Sequence, residues 1–142
     1  MILTTKGRYA VIAMMDLTSA VKSDAVVRVI DIAMRQKLPV SYLEQIFSKL
    51  RNGNIVVSVK GPGGGYKLAR DAEKISILDI MNAVNEEIKM TRCVECKTTE
   101  CIPNGKTKCM SHGLWKGLSD QINNYFRSIT LEDLFNGAGA AN

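Results

Sequence analysis

Pro39 narrows the possible folds of this chain more than any other residue. It lies between two short segments with helical apolar spacing, Ile30 to Gln36 and a run beginning at Ser41. Proline removes its own amide donor and pushes the residue before it out of the α region, so these segments cannot form one continuous helix. The chain must turn at Lys37-Leu38-Pro39. In the second segment Leu43, Ile46, Phe47 and Leu50 follow the i, i+3, i+4, i+7 rule for a buried face, and Ser41 with Glu44 has capping-box spacing, which predicts a helix opening at Ser41. Its other face carries Tyr42, Gln45, Ser48, Lys49 and Asn52, hydrogen-bonding groups and a cation able to reach base edges and phosphates. Two short helices about a tight break, the second with such an outer face, make a helix-turn-helix.

The residues after this helix extend that pattern. Gly53 is expected to stop the helix, Ile55 to Lys60 alternates with apolar residues at 55, 57 and 59, and Gly61-Pro62-Gly63-Gly64-Gly65 forms a turn before a returning strand from Tyr66 to Ala69. This is a β-hairpin wing directly after the candidate reading helix. A phosphate-cradling loop of the Walker type is excluded, because Lys67 lies between Tyr66 and Leu68 and the glycine spacing is wrong. A tip without side chains, flanked by Lys60 and Lys67, can approach a backbone or a groove floor closely.

Charge agrees with a polyanionic partner. The net charge of +5 conceals an asymmetry: residues 1–70 carry eleven Lys/Arg against four Asp/Glu, whereas residues 71–142 carry eight against ten. With 142 residues, 46% of them apolar, the chain can bury one ordinary core. It starts without a signal-peptide succession, and its longest apolar run, Tyr9 to Met15, is too short to span a bilayer. A cytoplasmic protein is therefore expected, with neither a membrane nor a small-molecule substrate as partner.

The rest of the chain frames this unit. Thr5 to Val21 reads as a mostly buried helix through Val11, Ile12, Met14, Met15 and Leu17. Lys6 and Arg8 near its start oppose the helix dipole, a placement easier to understand if a phosphate approaches there. Ser76 and Asp79 have capping spacing for a helix through Val84, and Thr130 with Asp133 caps a last short helix to Asn136. Trp115, Leu118, Ile122, Tyr125 and Ile129 recur at intervals of 3, 4, 3 and 4, a heptad seam expected to pair with its copy in a homodimer. The expected organisation is a DNA-binding domain over 1–85, a ligand loop over 86–112, a dimerisation helix and short terminal helix over 113–136, and a tail over 137–142.

All four cysteines and the only histidine fall within residues 92–112, in the pattern Cys93-x2-Cys96-x4-Cys101-x7-Cys109-x2-His112. A reducing compartment argues against two disulfides and leaves metal or redox chemistry. Crowded thiolates repel unless a cation lies between them, which supports a bound centre. Zinc would be served by the pairs Cys93/Cys96 and Cys109/His112. An iron-sulfur cluster also takes four ligands and tolerates irregular spacing. A dithiol switch through Cys93 and Cys96 leaves three ligands unexplained. An enzyme or electron carrier would have no use for the wing or the basic front half, and no acid/base constellation beyond His112 is present.

The blocks MILTTKGRYAVIAMMDL, SYLEQIFSKLR, VKGPGGGYKLARDA, TRC, KCMSHGLWKGLSDQI and ITLEDL resemble, in the same order, those of the IscR family, winged-helix bacterial transcription regulators that respond to iron-sulfur clusters. The resemblance implies a mainly α fold: a winged helix-turn-helix DNA-binding domain with a β-hairpin wing and a long C-terminal dimerisation helix. It implies a homodimer on a double-stranded DNA operator, repressing or activating cluster-assembly genes, with a 2Fe-2S cluster held by three cysteines and one histidine. By local motif these are Cys93, Cys109 and His112. The middle position falls to Cys101 rather than Cys96, because its equal separation from both anchors resembles the family's even spacing. For DNA the resemblance points to Ser41, Tyr42, Glu44 and Gln45 and to Lys60 with Gly61, Pro62, Gly63 and Gly64. Lys60 stands where the family often has arginine, and lysine cannot make the same forked contact.

Overall fold

A computed structural model of the chain describes residues 4–21, 26–86 and 111–137. Helix α1 (Thr5–Val21) is the spine, as its sequence predicts: Ala10, Ala13, Met14 and Leu17 lie one above another on a single face and are fully buried. At its start Lys6 lies beside an internal anion rather than an expected phosphate, and exposed Arg8 pairs with no carboxylate among the described residues. The anion there is the buried carboxylate of Glu86, which accepts from the Thr4 amide at 3.1 Å and from the Thr4 hydroxyl. Lys6 donates to the Asn85 carbonyl at 3.2 Å, so this cation is committed inside the molecule.

Helix α2 (Val29–Gln36) buries Val29, Ile32 and Ala33 and ends where Lys37 turns left-handed, φ 56°. Arg35 and Gln36 tie it to α1 through Asp16, whose carboxylate receives Arg35 at 2.6 and 3.1 Å and Gln36 at 2.8 Å. Burial raises the pKa of Asp16, but these hydrogen bonds and the guanidinium charge outweigh it and hold the carboxyl below its ordinary value.

Helix α3 (Val40–Asn52) buries the expected Leu43, Ile46, Phe47 and Leu50, yet its opening differs from expectation. Pro39 is the N-cap, its carbonyl accepts from the Leu43 amide at 3.0 Å, and no side chain caps the helix. The expected Ser41/Glu44 box therefore does not form: Pro39, already extended at ψ 125°, caps the helix in place of Ser41 and leaves Ser41 inside it. At the other end Gly53 has φ −84° and the left-handed residue is Asn54, φ 60°. Gly53 is required for proximity instead, since a Cβ there would lie 2.8 Å from the Ala83 Cβ.

The wing is the antiparallel pair β1 (Val56–Val59) and β2 (Gly65–Leu68), with Val56 opposite Leu68 and Val59 opposite Gly65. The apolar alternation at 55, 57 and 59 does not map onto one buried face: Ile55 and Val56 are both buried while Val57 is exposed. Ile55 precedes the strand and turns into the core, and along the hairpin it is Tyr66 and Leu68 of β2 that pack against the core while Val57 and Ser58 of β1 are exposed. On the other edge of β2 Val27 adds the single rung of a third strand, exchanging hydrogen bonds of 2.9 and 2.7 Å with Tyr66.

A 3₁₀ turn (Ala72–Lys74) leads to α4 (Ile77–Ala83), and α5 (His112–Ser128) to α6 (Leu131–Phe135). Both expected capping boxes form, Ser76 with Asp79 and Thr130 with Asp133. Ser76 and Thr130 are also bridged to each other, so the starts of α4 and α6 lie side by side and fully buried Leu131 enters the same core as α1 and α3. No helix among the described residues is long and apolar enough to cross a membrane.

Candidate nucleic-acid interface and metal-ligand segment

Ser41, Glu44 and Gln45 of α3 are exposed, and Ser48 and Lys49 continue their face half-buried. Because the capping box is absent, the Glu44 carboxylate does not cap the helix start, and among the described residues no ion pair engages it on this exposed face. Tyr42 differs. It is half-buried, with its hydroxyl 3.5 Å from the Thr5 hydroxyl and its ring edge-on to Tyr9 at 5.8 Å and 75°, so it joins α3 to the first turns of α1.

At the wing Lys60, Gly61, Pro62 and Gly63 are exposed, Gly64 is half-buried, and the Gly64 amide closes the turn onto the Gly61 carbonyl at 2.9 Å. Gly61 and Gly63 have φ of 100° and 79°, values that favour glycine. Gly65 admits the third rung, since a Cβ there would lie 2.3 Å from the Val27 carbonyl oxygen.

Ion pairing separates two groups of basic residues. Arg28, Arg35 and Arg70 are committed to Asp31, Asp16 and Asp79. Arg70 also donates to the Asn54 and Lys74 carbonyls, fastening the end of the wing. By contrast, Lys49, Arg51, Lys60 and Lys67 of α3 and the wing pair with no carboxylate among the described residues, as do Arg8, Lys37 and Arg127 elsewhere. The sequence pattern alone did not single out Arg51, although it is exposed and seven residues after Glu44, two helical turns along the same side.

Of the metal-ligand candidates only His112 is described, half-buried as the first residue of α5. Cys93, Cys96, Cys101 and Cys109 lie outside the described residues. Along α5 the expected seam is divided. Ile122 and Ile129 pack against the chain's own core together with Phe126, whereas Leu118 and Tyr125 are 39% and 56% exposed and Trp115 half-buried. Leu114, not part of the seam, is 64% exposed. The reason is α4, against which the C-terminal half of α5 packs and whose Ile77 amide donates to the Ile129 carbonyl at 2.9 Å.

A helix-turn-helix with a polar, partly cationic second helix, followed by a glycine-tipped hairpin, defines a winged-helix DNA-binding transcription regulator. Comparison with known proteins agrees. The family described as Rrf2, iron-dependent transcriptional regulator, matches residues 3–137, and the chain belongs to that family. The HTH-type transcriptional regulator IscR of Photorhabdus laumondii is 44% identical over 134 residues, covering 94% of this chain and 79% of the relative. The same-named regulator of Escherichia coli strain K12 / DH10B is 45% identical over 135 residues, with 94% and 80% covered. Among solved structures, T. potens IscR superposes with a TM-score of 0.77 at 31% identity, covering all of this chain and 92% of that one. CymR, the global cysteine regulator of B. subtilis, gives 0.78 at 29%, with 96% and 97% covered. The resemblance to the IscR family is confirmed, and the chain is a transcription regulator rather than an enzyme.

Proposed function

We propose that the chain acts in the cytoplasm as a homodimer on double-stranded DNA operators, where it couples iron-sulfur cluster supply to transcription of cluster-assembly genes. The observation that carries the DNA reading is the gathering of Lys49, Arg51, Lys60 and Lys67, none paired with a described carboxylate, on α3 and the wing. Ser41, Glu44 and Gln45 would meet base edges, Lys49 and Arg51 phosphates, and Lys60 with the Gly61 to Gly64 tip the adjacent backbone or groove. Two copies would read half-sites about one helical turn apart or a multiple of it. Exposed Leu114, Leu118 and Tyr125, with half-buried Trp115, support pairing through α5.

Cys93, Cys101, Cys109 and His112 would hold a 2Fe-2S cluster, and a donor set of three thiolates and one imidazole suits that group. When bound, it would supply a redox-active centre whose presence tracks iron and sulfide availability. An imidazole ligand is protonated and released more readily than a thiolate, which fits sensing by occupancy. The protein's part is a coupling free energy between the state of the ligand segment, which runs directly into α5, and the setting of two DNA-reading units. Structural zinc is the second reading, favoured by the pairs Cys93/Cys96 and Cys109/His112.

The test is purification and reconstitution without oxygen, followed by visible spectroscopy, metal analysis and promoter binding with and without the centre. A coloured iron- and sulfide-containing protein whose discrimination among promoters depends on occupancy is expected. A colourless protein with one tight zinc would refute the cluster.

A further inference from the structure

We infer that Glu86 is a positioning residue for DNA reading: its carboxylate fixes the first turn of α1, and that turn supports Tyr42 at the start of α3. The inference rests on the reading role proposed for α3.

The first turn of α1 has an electrostatic problem that local sequence does not solve. Its opening amides have no intrahelical partners and the dipole favours an anion, yet the turn holds Lys6 and no acidic residue. Glu86 supplies the anion from 82 positions away. One oxygen accepts from the Thr4 amide at 3.1 Å, the other from the Thr4 hydroxyl, and the Gly7 amide also donates to the carboxylate. Burial, which leaves the residue 6% exposed, raises the Glu86 pKa; these bonds and the Lys6 charge outweigh it, so the net value is lowered.

The seat is shaped for this side chain. Asn85 adopts φ 58° and turns the chain back after α4, and the Glu86 amide donates to the Met81 carbonyl at 2.8 Å. Gly7 is the complementary feature. A Cβ there would lie 3.0 Å from the Glu86 Cγ and 3.0 Å from the Met81 sulfur, so the carboxylate reaches the helix start only because residue 7 has no side chain.

The same turn touches the reading helix. Thr5 meets the Tyr42 hydroxyl, Tyr9 meets its ring, and Tyr42 is flanked by exposed Ser41 and followed closely by Glu44 and Gln45. If the first turn of α1 frays, Tyr42 loses its backing and the reading face becomes one of several arrangements. Affinity for a specific sequence then falls by the fraction of molecules in the competent arrangement, whereas phosphate-driven binding does not.

The experiment uses full-length, metal-free protein and two labelled duplexes, one enriched from a random-sequence library by the wild type and one a scramble of it. Glu86→Gln should weaken binding to the enriched duplex by about three- to tenfold and leave the scramble within about twofold, while amide exchange at Gly7 accelerates. Adding Thr4→Asp, a carboxylate at the local N-cap position, should restore both Gly7 protection and discrimination in the Glu86→Gln background. Equal losses on both duplexes, or no loss, would overturn the inference. So would a double variant with Gly7 protected and discrimination still lost. If the wild type enriches no duplex, DNA reading itself fails and this inference with it; an enriched duplex that Glu86→Gln binds normally refutes the inference alone.

Discussion

Replacing Gly53 by alanine separates two reasons for a glycine at the end of α3. At φ −84° and ψ 6° an alanine meets no backbone strain, and removing glycine's freedom from the unfolded chain would alone stabilise the protein by about 0.4–1 kcal/mol. Against this, the new methyl would lie 2.8 Å from the Ala83 Cβ and 3.3 Å from the Ala83 Cα, so α3 and α4 must part by several tenths of an ångström. Overpacking of this kind costs about 1–3 kcal/mol, which leaves a net loss of roughly 0.5–2 kcal/mol. With a urea slope of about 1.5 kcal/mol/M the unfolding midpoint should fall by about 0.3–1.3 M at unchanged slope. The measurement is urea unfolding at one fixed protein concentration, since self-association would shift the midpoint. Ala83→Gly removes the opposing methyl, so Gly53→Ala with Ala83→Gly should lose less than the sum of the two single changes, by about 1 kcal/mol. An additive double variant, or a single Gly53→Ala more stable than the wild type, would refute the close-packing account.

The lowered carboxyl pKa values of Asp16 and Glu86 set the direction of an acid response. Each contributes stability that is complete above its ordinary value, 3.8 and 4.5, and is lost as pH falls through the lower folded value, so Asp16→Asn and Glu86→Gln should each flatten the acid limb of a stability-against-pH curve. Gln45→Ala should change which base is preferred at one operator position, while Lys49→Ala should weaken all sequences alike and reduce the salt slope by about one. Competition binding across single-base variants at several salt concentrations reads both, and the reverse pattern would overturn the assignment of the α3 face. Cys101→Ser should abolish the iron-dependent visible spectrum after anaerobic reconstitution while Cys96→Ser retains it; loss on Cys96→Ser alone would move the middle ligand.

Features set by neighbours in sequence were legible, and features set by distant partners were not. Thr5–Val21 is a helix over the bounds its sequence predicts because an apolar face repeats without a breaker, and the Ser76/Asp79 and Thr130/Asp133 boxes form because each cap and its partner are three residues apart. Ser41 and Glu44 have the same spacing, but Pro39 begins the helix first. The Val27 rung and the Glu86 cap depend on Tyr66 and Thr4 brought close by folding, and no spacing rule reports such meetings. Gly65 and Gly7 are the visible traces, residues whose missing side chains mark where another part of the chain passes. On α5 the heptad count is correct as periodicity, but periodicity does not say whether the stripe meets a second molecule or, as for Ile122 and Ile129, its own.

Helix α5 is held very unevenly along its length. Its far end is clamped where the Ile77 amide bonds the Ile129 carbonyl at 2.9 Å, and buried Ser119 marks the nearest point of firm packing to its start. The two turns from His112 contain Gly113 and Gly117, where an added Cβ would meet nothing within 4 Å among the described residues. Each forfeits about 1 kcal/mol of helix propensity relative to alanine. In a single copy these turns are weakly held by the described residues, so the pairing proposed through Leu114, Trp115 and Leu118 would be what steadies them, and their amide exchange should slow as protein concentration rises.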